Sequence, residues 1–113
     1  MTATLTVYVV TKDLERTRRF YEEGLGVPSG EQSGLWLPFA LAGATFALHG
    51  ARDDDPEDMM RANVSFGVDD IEAAVARFER AGGRVLRGVA DEAYGKRALI
   101  QDPDGRTFEL VRY

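Results

Sequence analysis

The apolar positions of this chain change period twice, in the same order each time. Val7, Val9 and Thr11 alternate with Tyr8 and Val10, and Val64, Phe66 and Val68 alternate with Ser65 and Gly67. A period of two predicts strands with one face turned inward. After each, the spacing lengthens to that of a helix: Leu14, Tyr21 and Leu25 share one face, as do Ile71, Val75 and Phe78. Asp13 and Asp70 stand where the helices begin, each offering a carboxylate to backbone N–H groups that lack a partner in the first turn. Gly24 and Gly26, and later Gly82 and Gly83, are expected to stop the helices. Shorter strands are predicted over 27–31, 36–41 and 45–49 in the first half, and over 84–88, 97–101 and 106–112 in the second.

The recurrence extends to residue identities. Laid over each other, Val7 meets Val64, Asp13 meets Asp70, Leu14 meets Ile71, Glu15 meets Glu72 and Tyr21 meets Phe78. The ends match as well: Gly43-Ala44-Thr45-Phe46-Ala47-Leu48-His49 against Gly105-Arg106-Thr107-Phe108-Glu109-Leu110-Val111. The order βαβββ therefore occurs twice, and the expected class is α+β with two tandem modules. Module one covers about 4–50 and module two about 62–113, with an acidic, proline-containing connector over about 51–61 and the whole expected as one domain. Turn chemistry supports these divisions. Pro28-Ser29-Gly30 and Ser33-Gly34 break the first half, and Asp102-Pro103-Asp104-Gly105 is a strong turn in the second.

Composition narrows the classes. The chain is 44% apolar and 29% charged, which suits a folded domain and argues against disorder. It has no cysteine, so disulfides, thiolate zinc sites and cysteine nucleophiles are excluded together, and a reducing compartment suits it. A net charge of −5 weighs against nucleic acid, which needs a basic surface, and is compatible with a cationic or neutral ligand. The same acidity serves solubility without any partner. The first residues lack the pattern of a secretory leader, and no apolar run reaches the roughly 20 residues that span a bilayer. A cytoplasmic protein without membrane or nucleic-acid partners is the expectation.

A strand leading into Asp13-Leu14-Glu15-Arg16, then Arg19-Phe20-Tyr21-Glu22-Glu23-Gly24-Leu25-Gly26, then a second copy closing on Asp102-Pro103-Asp104-Gly105-Arg106-Thr107-Phe108-Glu109-Leu110, resembles the vicinal oxygen chelate superfamily. That group contains glyoxalase I, the extradiol dioxygenases, fosfomycin-resistance enzymes and the bleomycin-resistance binding proteins. The resemblance covers nearly the whole chain. It implies curled mixed sheets around a cupped cavity, and a homodimer in which modules pair between chains.

Metal-dependent members of that superfamily carry four ligands, one from the first and one from the last strand of each module. The resemblance places those positions at Thr6, Ala47, Asn63 and Glu109. A divalent ion needs several carboxylate or imidazole donors to offset its lost hydration. Threonine is a poor donor, alanine offers none and asparagine is weak and neutral, so no metal and no other cofactor is expected. Glyoxalase, dioxygenase and thiol-transferase chemistry all depend on that metal and are put in doubt.

Strand parity then supplies the candidate ligand-binding surface. Thr6, Tyr8 and Val10 share a face, as do Thr45, Ala47 and His49, Asn63, Ser65 and Gly67, and Thr107, Glu109 and Val111, while Phe46, Leu48, Phe108 and Leu110 point the other way into the core. Glu109 has three readings: a vestige of the ancestral ligand, an anchor for a cation, or a general base. His49, the sole histidine, is either a proton shuttle or an exposed strand-end residue. Tyr8, Trp36, Phe39 and Tyr94 are candidate aromatic walls. The stretch Val89–Arg97 is expected as a loop over the cup, with Lys96 and Arg97 meeting either an anion or solvent. Met59-Met60 is a candidate contact at a dimer seam. The expected function is stoichiometric, metal-independent binding of a small organic molecule, as in the bleomycin-resistance branch. The competing expectation is a glyoxalase- or dioxygenase-like enzyme, a lyase, isomerase or oxygenase using Glu109 and His49, with or without a metal.

Overall fold

The computed structural model describes residues 6–53 and 64–113. The first stretch forms β1 (Thr6–Thr11), α1 (Leu14–Leu25), β2 (Trp36–Leu41) and β3 (Ala44–Gly50). The second forms β4 (Ser65–Gly67), α2 (Ile71–Arg80), β5 (Arg84–Glu92), β6 (Gly95–Gln101) and β7 (Thr107–Arg112). Asn63, Met59 and Met60, and most of the acidic connector, lie outside the described residues.

Two mixed sheets result, in the order β1-β3-β2 and β4-β7-β6-β5. β1 runs parallel to β3 and β4 runs parallel to β7, because a helix lies between each first strand and its sheet partner. The remaining pairs are antiparallel neighbours joined by tight turns. Both helix starts are capped as the aspartates predict: Asp13 accepts from the Arg16 backbone N–H and Asp70 from that of Ala73, each at 3.1 Å. Gly26 ends α1 in the left-handed region at φ 73°, a conformation only glycine takes without strain. Gly24 does not stop the helix. It is buried within α1, where an added Cβ would lie 2.1 Å from the Phe78 ring, so its role is to let α1 and α2 approach.

Two predicted elements differ. Residues 27–31 form no strand, and the Gly30 N–H donates to the Pro38 carbonyl of β2 at 2.7 Å. Pro28 cannot donate to a ladder, and the segment has no apolar alternation to bury. The expected loop over 89–97 is instead the end of β5, a tight turn and the start of β6, with register shifts along the β5–β6 pair.

The core joins both halves. Val9, Phe20, Tyr21, Phe46 and Leu48 meet Phe66, Ile71, Phe78, Phe108 and Leu110 in one apolar cluster. Phe46 and Phe66 stand edge to face at 5.0 Å, and Phe78 lies 4.9 Å from Phe108. A polar clasp sits beside this cluster. Asp102, fully enclosed, accepts from the Tyr21 hydroxyl (2.9 Å), the Arg106 guanidinium (2.8 Å) and the Arg106 backbone N–H (2.9 Å). Arg106 also reaches the Val10 carbonyl, and Asp104 accepts from Thr11 and Arg16. The Asp-Pro-Asp-Gly turn is thereby fastened to β1 and α1 of the other half. Burial of Tyr21 raises its pKa well above the ordinary phenol value, so it remains a neutral donor to Asp102.

Candidate functional site

Each sheet gives one face to the core and leaves the opposite, open face outside it. On the β1-β3-β2 sheet, register aligns Tyr8 with Ala47 and Pro38, and Val10 with His49 and Trp36. Tyr8, Trp36 and His49 therefore meet on the open face. Their rings are 5.8 Å (Tyr8–Trp36) and 6.2 Å (Tyr8–His49) apart, both tilted, and 6.2 Å apart edge to face (Trp36–His49). Tyr8 remains 44% exposed, an unusual amount for an aromatic ring on a strand. The His49 Nδ1 lies 2.7 Å from the Gly50 carbonyl. A carbonyl only accepts, so Nδ1 carries the hydrogen and Nε2 of the neutral ring is left as an acceptor.

Phe39 is not part of this surface. It is fully buried and packs on Phe46 at 5.9 Å, because it lies three positions after Trp36 and an odd offset sends a strand residue to the opposite face. Tyr94 is also elsewhere. It stands at the β5–β6 turn, 5.9 Å from Tyr113, and its neighbours Ala93 and Gly95 line a different cleft with Asp70, Glu72 and Lys96.

The second sheet presents a different surface. A cavity of about 400 Å³ is lined by Ser65, Arg97, Leu99, Thr107 and Glu109 among others, all from this half of the chain. The Arg97 Nε donates to Glu109 Oε2 at 2.6 Å across β6 and β7. This guanidinium, with a further hydrogen bond from Ser65, holds the Glu109 carboxyl below its usual range, and Glu109 in turn raises Arg97. A carboxylate so held is a weaker proton acceptor, which favours charge pairing over proton abstraction. Lys96 points away, to Glu72 on α2 at 3.1 Å. Arg84 and Arg87, absent from the sequence candidates, lie on the same open face by their pairing with Gln101 and Leu99.

The metal positions fail on their own chemistry. Thr6 is an exposed hydroxyl at the start of β1, opposite Thr45. Ala47 is fully buried between Tyr8 and Pro38 and brings only a methyl group. Glu109 is already engaged by Arg97 and Ser65. The described part of this ligand set does not fit a divalent ion.

The sequence model of the Glyoxalase/Bleomycin resistance protein/Dioxygenase superfamily matches residues 3–110. No curated protein matches the chain. Among solved structures, a glyoxalase/bleomycin resistance protein from Albidiferax ferrireducens T118 superposes with a TM-score of 0.82 at 19% identity, covering 96% of each chain. A glyoxalase-related enzyme from Fulvimarina pelagi does so at 0.76 and 21%, covering 100% of this chain and 89% of its own. TnmS3, an antibiotic binding protein from Streptomyces sp. CB03234, gives 0.74 at 27% identity, covering 99% of this chain and 96% of its own.

Proposed function

The chain belongs to the Glyoxalase/Bleomycin resistance protein/Dioxygenase superfamily, and from that premise we propose that it binds a small organic molecule on the open faces of its sheets, stoichiometrically and without a metal. One observation carries the reading. Where metal-dependent members would place ligands, this chain has a buried alanine beside an aromatic cluster on one sheet, and on the other a carboxylate already paired to Arg97 in a lined cavity. Such a surface supplies what affinity needs, apolar area and a few oriented polar groups, while Ala47 and the paired Glu109 are poor donors for the Lewis acid that the chemistry of the metal-dependent branch requires. TnmS3, an antibiotic binding protein on the same fold, supports binding over turnover.

In this proposal Tyr8, Trp36 and His49, lying over the enclosed Ala47, offer an apolar surface on one sheet, and Ser65, Arg97 and Glu109 offer a polar one on the other. Thr6 and Asn63 border them through their places on the first strand of each half. A homodimer belongs to the same proposal, supported by the family and by exposed Leu35 and Leu86. The absence of cysteine suits the cytoplasm, where we place it. Among the described residues no helix is long and apolar enough to cross a membrane.

The test is a thermal-shift screen of small aromatic and heterocyclic compounds on chelator-treated protein, followed by calorimetry of the hits. The reading expects compounds that raise the melting temperature and bind at one per chain without added metal. Hits that need a divalent ion, or that are consumed during the titration, would return the protein to the enzyme class. A specific observation keeps the second reading in view: the His49 Nδ1 sits on the Gly50 carbonyl, which turns Nε2 into the acceptor of the neutral ring. Turnover that survives chelation and fails in His49→Ala would establish it.

A further inference from the structure

The open face of the second sheet carries two arginines, Arg84 and Arg87, that form no ion pair among the described residues. Residues directly opposite in an antiparallel pair share a face, so Arg84 beside Gln101 and Arg87 beside Leu99 lie on the face that also bears Arg97 and Glu109. Glu92, opposite Gly95, is the other acid on this face, at the far end by the β5–β6 turn. Arg97 is paired with Glu109, but Arg84 and Arg87 have no ion-pair or hydrogen-bond partner among the described residues. Two free guanidiniums in a chain of net charge −5 stand out from the general charge balance. Leu99, which faces Arg87 directly, lines the cavity together with Arg97. Arg97 and Leu99 thus form part of the cavity wall, and Arg87, opposite Leu99 on the neighbouring strand, stands at its border.

Resting on the binding reading above, we infer that the ligand of this face is a hydrophobic organic acid, its carboxylate seated between Arg87 and Arg97 and its apolar body against Leu99. This reverses the charge that the acidic composition suggests. Arginine suits the role because its planar fork matches a carboxylate in two parallel hydrogen bonds, and charge-assisted bonds of this kind are about twice as strong as neutral ones. Glu109 then acts as the group that orients Arg97 and competes with the incoming carboxylate, rather than as an anchor for a cation.

The experiment is calorimetric titration of the chelator-treated full chain with three probes of one shape: 2-naphthoate, 2-naphthamide and 2-naphthylmethylamine. The acid is expected to bind about tenfold or more tighter than the amide, and the amine more weakly than either. Arg87→Gln, at an exposed and unpaired position, should weaken the acid about tenfold and leave the amide unchanged, with the melting temperature as a check on folding. Glu109→Gln should tighten the acid, because it removes the competing carboxylate. Preference for the amine, equal binding of acid and amide, or loss of acid affinity in Glu109→Gln would overturn the inference and leave the binding reading standing. Failure of all three probes would overturn both.

Discussion

The two halves of the chain share a core face and differ on the open face. Superposed by the repeat, Val9 corresponds to Phe66, Phe46 to Phe108, Leu48 to Leu110 and Tyr21 to Phe78, and all of these are buried in one cluster. The residues between them on the same strands have diverged in kind. Tyr8 corresponds to Ser65, Ala47 to Glu109 and His49 to Val111. The first half thereby acquires an uncharged aromatic cluster, and the second a lined cavity with an Arg97–Glu109 pair. Strand parity separates the two constraints: alternate positions are held by packing, and the others are free to carry chemistry.

The turns before the last strands show the largest asymmetry. Asp102, Asp104 and Arg106 fasten the second half to the first, and their counterparts Ala40, Ala42 and Ala44 form no such clasp. Asp102→Ala would remove one of the two carboxylates on the enclosed Arg106 guanidinium and leave the buried Tyr21 hydroxyl without its acceptor, and chemical denaturation should show a loss of about 3 kcal/mol. A matching change at Ala42, such as Ala42→Asp on the exposed turn, should cost roughly 0.5 kcal/mol or less. Equal losses at both turns would dissolve the contrast.

A corresponding pair near the helix ends, Gly24 in α1 and Ala81 after α2, separates the two halves in packing. Gly24→Ala places a methyl group against the Phe78 ring, and the strain should cost about 1–3 kcal/mol, more than the helix preference of alanine returns. Ala81→Gly should cost about 1 kcal/mol or less. Thermal melts of the two variants decide it, and a neutral Gly24→Ala would mean that the helices do not approach as closely as described.

On the open faces, Trp36→Ala is expected to weaken ligand binding about tenfold, through loss of aromatic contact, with little change in melting temperature. Glu109 gives the smallest effect, since its side chain is 29% exposed. Its folded pKa is lowered by Arg97 and Ser65, so its contribution to stability is present above the unfolded value near 4.5 and is lost as the pH falls through the lower folded value. The melting temperature of the native chain should exceed that of Glu109→Gln slightly at pH 7, and the gap should close below about pH 4.5. A gap that widens in acid would contradict the Arg97 pairing.

Most of the fold was legible because its signals are local. Asp13 and Asp70 announce helix starts, and Asp102-Pro103-Asp104-Gly105 announces a turn, through the backbone groups that those side chains satisfy. The absent strand over 27–31 and the extended β5–β6 hairpin were not legible, because edge pairing depends on neighbours that the sequence does not order. The placement of Phe39 was within reach, since its odd spacing from Trp36 already assigns it to the other face. The Arg97–Glu109 pair needed the β6–β7 register, and Arg87 needed the shifted β5–β6 register, both tertiary facts. The sequence therefore pointed to the aromatic cluster, to Glu109 and to Arg97 as a loop residue, but not to Arg84 and Arg87 or to the pairing of Arg97 with Glu109.

The central claim, that the open faces bind a small molecule without metal, has a direct test. Trp36 is the only tryptophan, so its indole N–H gives a single side-chain cross-peak in a ¹H–¹⁵N spectrum, and the backbone of every strand is visible beside it. A screening hit titrated into chelator-treated protein is predicted to move that peak together with amides of Tyr8, His49, Ser65, Arg97 and Glu109, while those of α1 and α2 stay in place. Shifts confined to the Tyr94–Tyr113 corner, or shifts that appear only after a divalent ion is added, would contradict it.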